Sequence, residues 1–264
     1  MLMSENLEQN KQNLGQFYTT NYKHILQNLF IPENIKTIVE PFAGKGDLVD
    51  FINEFQESKQ RKNLIIESYD IDPKQDYIIK QDTLLNPPDY SNKFVITNPP
   101  YLARNKSKDK TVFDKYKQND LYKCFIQTLI NSNCLGGILI IPLNFWCSIR
   151  KSDIVLRKQF LDKYGVITLN IFEESVFDDT SYAVCSFQFE KKNNENLGND
   201  TNDIKCVIFP SKKEINLSFN KDNNYTIGGE IYKLPQNDTY TIERATEHNK
   251  FSKFITKLLV QCKS

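Results

Sequence analysis

At 264 residues the chain can bury one sizeable core, or a core with a small appendage, and its formal net charge of +1 leaves the partners unspecified, because a nucleic-acid binder can keep its positive charge local. Six cysteines, Cys124, Cys134, Cys147, Cys185, Cys206 and Cys262, make no CxxC pair and have no histidine at ligand spacing, so they read as reduced thiols and not as a zinc site or disulfide frame. Only His24 and His248 are present, no apolar run reaches membrane-spanning length and the N-terminus is unlike a signal peptide, so the expectation is a soluble protein of the cytoplasm or another intracellular compartment, with no membrane partner, no histidine triad and no metal.

Strand and helix signals alternate through the first half. Ile35 to Glu40 reads as a short apolar strand, Pro41-Phe42-Ala43-Gly44-Lys45-Gly46-Asp47 as a tight turn, and Leu48 to Phe55 as a helix. Strand, glycine turn and helix is a ligand-binding geometry of open α/β sheets. A second strand, Leu64 to Tyr69, ends in Asp70-Ile71-Asp72-Pro73, a third short element ends at Asp82, and a fourth strand, Phe94 to Thr97, leads into Asn98-Pro99-Pro100-Tyr101. Further on, Leu121 to Ile130 reads as a helix, Gly136-Gly137 as a turn and Ile138 to Pro142 as a buried strand. The repeated βα pattern predicts an α/β fold with a doubly wound, mostly parallel sheet. Lys191 to Asp203 is rich in Asn, Lys, Glu and Asp and reads as a linker or insertion. After it come a strand candidate at Ile204 to Phe209, a turn at Gly228-Gly229 and an amphipathic helix at Phe251 to Val260.

The acidic and amide groups fall just past strand ends, where such sheets bind ligands. Asn98 offers a side-chain carbonyl, and the Pro99-Pro100 unit stiffens a second one, so both hydrogens of a planar NH2 group can be held at once. Tyr101 adds a flat face for stacking. The alternative is a Pro-Pro turn that merely ends a strand. Gly44 and Gly46 permit close approach of the backbone to a ligand, Glu40 suits an ammonium, Asp70 a pair of ribose hydroxyls and Asp82 an adenine amine. Asp72 reads as a solvent-facing loop residue and Asp47 as a helix N-cap. The turn is not G-x-G-x-x-G, so a plain dinucleotide site fits poorly.

Taken in order, these segments resemble the S-adenosylmethionine-dependent N6-adenine DNA methyltransferases of restriction-modification systems, in the gamma arrangement. Gly15-Gln16-Phe17-Tyr18-Thr19-Thr20 resembles the family's N-terminal cofactor segment and Glu40 to Gly46 its glycine motif; Asp70 to Pro73, Asp82 and Asn98 to Tyr101 follow in family order, and coverage runs to about Phe189. The resemblance implies a Rossmann-like class I methyltransferase fold and transfer of a methyl group to an adenine turned out of double-stranded DNA. It also implies roles: Thr19 or Thr20 at the cofactor's methionine end, Glu40 at its amino group, Asp70 at its ribose and Asp82 at its adenine, with Tyr18, Pro41, Phe42, Gly44, Gly46, Ile71 and Asn98 also in the cofactor site. Asn98, Pro99, Pro100 and Tyr101 would bind the target. Ile141 to Trp146 resembles a strand and turn that shape the pocket, and Phe177 is the candidate for an aromatic ring on the base's other face, with a core Phe as the alternative.

Two basic stretches are candidates for DNA phosphates. Arg104, Lys106, Lys108 and Lys110, with Lys115 and Lys117, crowd a polar, flexible-looking stretch diluted by Asp109 and Asp114; Arg150 and Lys151, with Arg157 and Lys158, sit on a predicted helix. A solvated loop is the rival reading for the first. The domain expectation is a catalytic domain over 1–190, a linker or insertion over 191–203, and a small or incomplete target-recognition region over 204–264, with a homodimer or a partner subunit left open. The functional rivals are an RNA adenine-N6 methyltransferase, a protein glutamine-N5 methyltransferase and a non-catalytic DNA-binding subunit.

Overall fold

The computed structural model describes residues 19–61, 63–177, 182–193 and 202–228, all within one compact unit that spans Met1–Gly229. Tyr18 and the helix expected at Phe251 to Val260 lie outside the described residues. Nine strands form a single sheet in the order β3-β2-β1-β4-β5-β7-β6-β8-β9. They are β1 Thr37–Glu40, β2 Ile65–Asp70, β3 Ile79–Lys80, β4 Phe94–Thr97, β5 Gly136–Pro142, β6 Tyr164–Phe172, β7 Val184–Lys191, β8 Asn202–Phe209 and β9 Lys213–Phe219. The helices are α1 Tyr22–Ile25, α2 Asp47–Ser58, α3 Thr111–Tyr116, α4 Leu121–Asn131, α5 Asn144–Cys147 and α6 Lys151–Lys163.

Strand β1 pairs in parallel with both β2 and β4, so the chain order runs outward in opposite directions from it. That reversal opens a crevice at the carboxyl ends of β1 and β4, the usual ligand position in a doubly wound sheet. Every residue of β4 and β5 is buried, as their unbroken apolar sequences require of central strands covered on both faces. Strand β7 enters antiparallel between β5 and β6.

Three expectations are revised. Gly136 and Gly137 are the first residues of β5 and not a turn: Gly137 pairs with Val95 on one side and Phe189 on the other. A Cβ at Gly137 would lie 2.4 Å from the Val95 carbonyl oxygen and 2.9 Å from the Phe189 ring, so the glycine serves a close approach of three strands. Residues 204–228 do not start apart from the catalytic sheet. Strand β8 pairs in parallel with β6 from Thr168↔Lys205 to Phe172↔Phe209, and β9 closes on β8 as the outermost strand. The ring of Phe219 on β9 stacks on Trp146 at 5.0 Å and 19°. Finally, Arg157 faces inward with no exposure; its guanidinium donates to the carbonyls of Phe145 at 2.6 Å and Ser148 at 2.7 Å and to Thr226 Oγ1 at 2.6 Å. Those acceptors replace its water, and the residue is structural. No helix among the described residues is long and apolar enough to cross a membrane.

Candidate active site

The glycine turn after β1 is held by the end of β2. Ala43 N donates to the Tyr69 carbonyl at 2.8 Å, Gly46 N to the Ala43 carbonyl at 2.7 Å, and Gly44 N to Asp70 Oδ2 at 2.8 Å. The second oxygen of Asp70 accepts from Asp72 N at 2.8 Å. Gly46 has φ +97°, a left-handed conformation that a side chain would strain, and it occupies the N-cap position of α2. Asp47, read from sequence as a cap, is the first helical residue instead and points its charge at the positive end of the helix.

A cavity opens between this turn, the ends of β2 and β4, and helices α3 and α4. Its wall includes Thr19, Phe42, Gly44, Asp70, Ile71, Asp82, Asn98 and Pro100, so eight sequence candidates converge there. Val112 from α3 and Leu121 from α4 also line it, with Ala43, Asp47, Leu48, Gln81, Thr83 and Leu84. No local pattern marks Val112 and Leu121, because their place depends on α3 being tied across the site: Tyr116 Oη donates to the Leu84 carbonyl at 2.8 Å and Lys115 Nζ to the Leu85 carbonyl at 2.7 Å. Asp82 Oδ1 accepts from Leu84 N at 3.0 Å and Leu85 N at 2.9 Å, which shapes the third side of the opening. Thr20, Pro41 and Gly46 do not line the cavity.

Glu40 lies beneath it with no exposure. Its Oε1 accepts from Thr97 Oγ1 at 2.5 Å and Phe42 N at 3.0 Å, while Oε2 is buried with no partner among the described residues. Burial pushes the carboxyl up to about 8 against the pull of those two bonds, since an isolated charge in a dry interior is disfavoured. Thr97 was not singled out in the sequence; its only signal is that it precedes Asn98.

Asn98 is 8% exposed, and its Nδ2 donates to Thr19 Oγ1 at 3.2 Å. Tyr101 Oη lies 2.5 Å from Asn98 Oδ1 and 2.9 Å from the Ile140 carbonyl oxygen. One hydroxyl proton serves only one of these two acceptors fully. The ring of Tyr101 is buried, meeting Tyr122 and Tyr182 edge-on at 6.1 Å each, so its face is covered in this conformation and not open as the sequence suggested. Phe177 is 5% exposed and packs in the core, off the cavity wall. Pro99 is buried beside Asn98.

The basic candidates divide. Arg104, Lys106, Lys110 and Arg150 line a second cavity, with Lys123, Asp120, Tyr122 and Tyr182. Lys151 lines a different groove with Lys115 and Lys117, and Lys108 lines neither. The segment is less loose than its composition suggests: Arg104 pairs with Asp114 at 2.6 Å, Lys110 Nζ donates to the Arg104 and Ser107 carbonyls, and Asp109 Oδ1 accepts from Thr111 N at 2.8 Å. Under the second cavity, Lys123 and Asp153 form a buried pair at 2.8 Å joining α4 to α6.

A doubly wound sheet with a ligand-sized crevice at its switch point, walled by strand-end acids and an amide, is the fold of the class I methyltransferases. Residues 8–177 match the family model described as Eco57I restriction-modification methylase, and the chain belongs to that family. Among solved structures it is similar to a modification subunit from Vibrio vulnificus YJ016, with a TM-score of 0.56 and 14% identity over 81% of this chain and 51% of that one. It is likewise similar to the type I restriction-modification system methyltransferase subunit from Streptococcus thermophilus, with a TM-score of 0.52 and 15% identity over 80% and 52%. These likenesses show a shared fold, and the chain spans about half the length of the structures it matches. No curated protein matches the chain.

Proposed function

We propose that this restriction-modification methylase transfers a methyl group from S-adenosylmethionine to N6 of an adenine turned out of double-stranded DNA. The observation that carries the reading is Asn98, held at the carboxyl end of β4 on the wall of the switch-point cavity, with the Pro99-Pro100 unit directly after it. When bound, S-adenosylmethionine supplies an electrophilic methyl carbon on a positively charged sulfur. The residues suit that ligand: the unpartnered Oε2 of Glu40 is a buried acceptor for an ammonium, Asp70 and Asp82 lie on the wall for ribose and adenine, and Phe42 and Ile71 offer apolar faces. Thr19, with Tyr18 and Thr20 beside it in sequence, would flank the methionine end.

On this reading Asn98 Oδ1 and the Pro99 carbonyl accept the two amine hydrogens. Holding both directs the nitrogen lone pair toward the methyl carbon, and positioning then supplies most of the catalysis. No histidine base is required. Tyr101 and Phe177 would pack on the extruded base, which needs the buried Tyr101 ring to move aside. Extrusion costs a few kcal/mol, and aromatic stacking at ~1–3 kcal/mol per face offsets much of it. Lys106, Lys108, Arg150 and Lys151 would contact phosphates. Because the similar structures are described as subunits, a partner subunit or a second copy of this chain fits the reading.

The test is incubation with labelled S-adenosylmethionine and, separately, DNA, RNA and protein, followed by identification of the modified atom. Label at adenine N6 in DNA is expected. Label confined to RNA or to glutamine side chains would replace the reading, and failure to bind the cofactor by calorimetry would make the chain a non-catalytic member.

A further inference from the structure

The second cavity begins where the first ends. Asn98 and Pro100 line the first, whereas Ala103, Arg104, Tyr122 and Tyr182 line the second, and the Tyr101 ring packs edge-on against Tyr122 and Tyr182 from between them. In this conformation the Tyr101 ring links Asn98 to the tyrosines of the second cavity.

The charges on its wall are not equivalent. Lys123 is neutralised by the buried Asp153, Arg104 is paired with Asp114, and Lys110 is spent on loop carbonyls. Lys106 and Arg150 are exposed, and among the described residues no carboxylate pairs with either. Asp120 is the one carboxylate on the wall, set against the two exposed cations Lys106 and Arg150. Tyr182 is 38% exposed, a large aromatic at the rim of a positive cavity, with the amides of Asn105 and Asn144 beside it. A flat ring, two unpaired cations and amide edges make a nucleotide-sized set: the ring for a base face, the cations for a phosphodiester.

We propose that this cavity is a subsite for the nucleotide adjoining the target adenine, with Tyr182 against its base and Lys106 and Arg150 on its phosphate. The proposal rests on the DNA reading above and deepens it: the enzyme reads one neighbour of its target from within the catalytic sheet. Tyr182 is then a positioning residue for DNA, without a part in the transfer step.

The experiment first locates a methylated adenine in DNA treated with the wild-type protein. Duplexes carrying that site are then made intact or with a single abasic residue on either side of the target. Steady-state constants are measured for wild type, Tyr182→Phe, Tyr182→Leu and Arg150→Gln, with cofactor binding followed by calorimetry. Expected for Tyr182→Leu is a rise of about tenfold in KM for intact duplex, the scale of one lost stack, with kcat and cofactor affinity held and Tyr182→Phe near wild type. The wild type should show a similar KM rise on one of the two abasic duplexes, and Tyr182→Leu should lose nothing more there. Arg150→Gln should flatten the dependence of log KM on log salt by about one. Two results overturn the subsite: an unchanged KM for Tyr182→Leu, or a loss that is as large on both abasic duplexes as on the intact one. If the wild type methylates no DNA at all, the parent reading fails and the subsite with it, which is a different result from a working enzyme indifferent to Tyr182.

Discussion

Asn98 and Asp70 stand on the same cavity wall with different attachments. Asn98 is tied to Thr19 and Tyr101 through its side chain, whereas both oxygens of Asp70 hold backbone N–H groups, of Gly44 and Asp72. Asn98→Ala is therefore expected to abolish methyl transfer and leave cofactor affinity within about threefold. Asp70→Ala lets the glycine turn relax and should weaken cofactor binding by about tenfold or more, the scale of a lost charged hydrogen bond. Calorimetry beside a transfer assay checks both, and equal loss of binding in the two variants would refute this division. Glu40 gives a pH signature. In the free protein its carboxyl holds a proton up to about 8, while in the unfolded chain it would release it near the ordinary 4.5. Its contribution to stability is thus fully present below 4.5 and declines as pH rises toward 8. An ammonium on Oε2 favours the ionised form, so cofactor binding near pH 7 should release a proton, with affinity rising with pH and levelling above about 8. Calorimetry in buffers of different ionisation enthalpy would measure it, and Glu40→Gln should remove the proton release. The types and order of these residues were legible in the sequence. The Thr97 bond, the grip of Asp70 on the turn and the covered Tyr101 ring were not, because each depends on groups brought from other strands.

At the scale of elements, Gly137 marks one of the tight fits in the sheet. A methyl there meets backbone on β4, which cannot yield as a side-chain tip would. Gly137→Ala should destabilise by about 1–3 kcal/mol or more, as overpacking does. Because β4 delivers Asn98, transfer should fall along with thermal stability. Helices α4 and α6 meet through Lys123 and Asp153, both nearly unexposed. Burial raises the Asp153 carboxyl, but bonds from Lys123 and Ser148 and the charge of Arg157 outweigh it and hold the group below the usual carboxylate range. Lys123→Met strands that carboxylate and should cost about 3–5 kcal/mol, whereas Lys123→Met with Asp153→Leu should recover most of the loss. Denaturant unfolding of both variants decides it. Equal instability would mean that packing of the lysine stem, and not charge, is what matters. Strands β1, β2, β4, β8 and most of β5, with the long helices, were readable from apolar runs, whereas β6, β7 and β9 were not read as strands, and the Gly136-Gly137 pair was misread because its turn-like composition is identical to what a crowded strand needs.

For the whole molecule, the outer hairpin is the part that sequence patterning placed apart and the structure places in the sheet. Strand β8 covers the edge of β6, Phe219 stacks on Trp146, and Thr226 takes a guanidinium N–H of Arg157. Truncation after residue 193 removes all three and uncovers a sheet edge. A loss on the order of 5 kcal/mol, comparable to the entire stability of many domains, is expected to leave an insoluble or unfolded product. A truncated chain that is monomeric, folded and binds the cofactor would show that β8 and β9 are an accessory to the sheet.

The sequence by itself determined the alternation of strand and helix, the acids and amide at the strand ends and their order along the chain, because these depend on local periodicity and on residue type. Only the tertiary structure decided that eight of the candidate residues share one cavity, that Arg157 is an internal brace, that β8 and β9 belong to the catalytic sheet, and that Tyr182 lines a second cavity with Lys106 and Arg150. The physical reason is the same in each case. Burial, pairing and charge balance are properties of neighbours distant in sequence, and no window along the chain contains them.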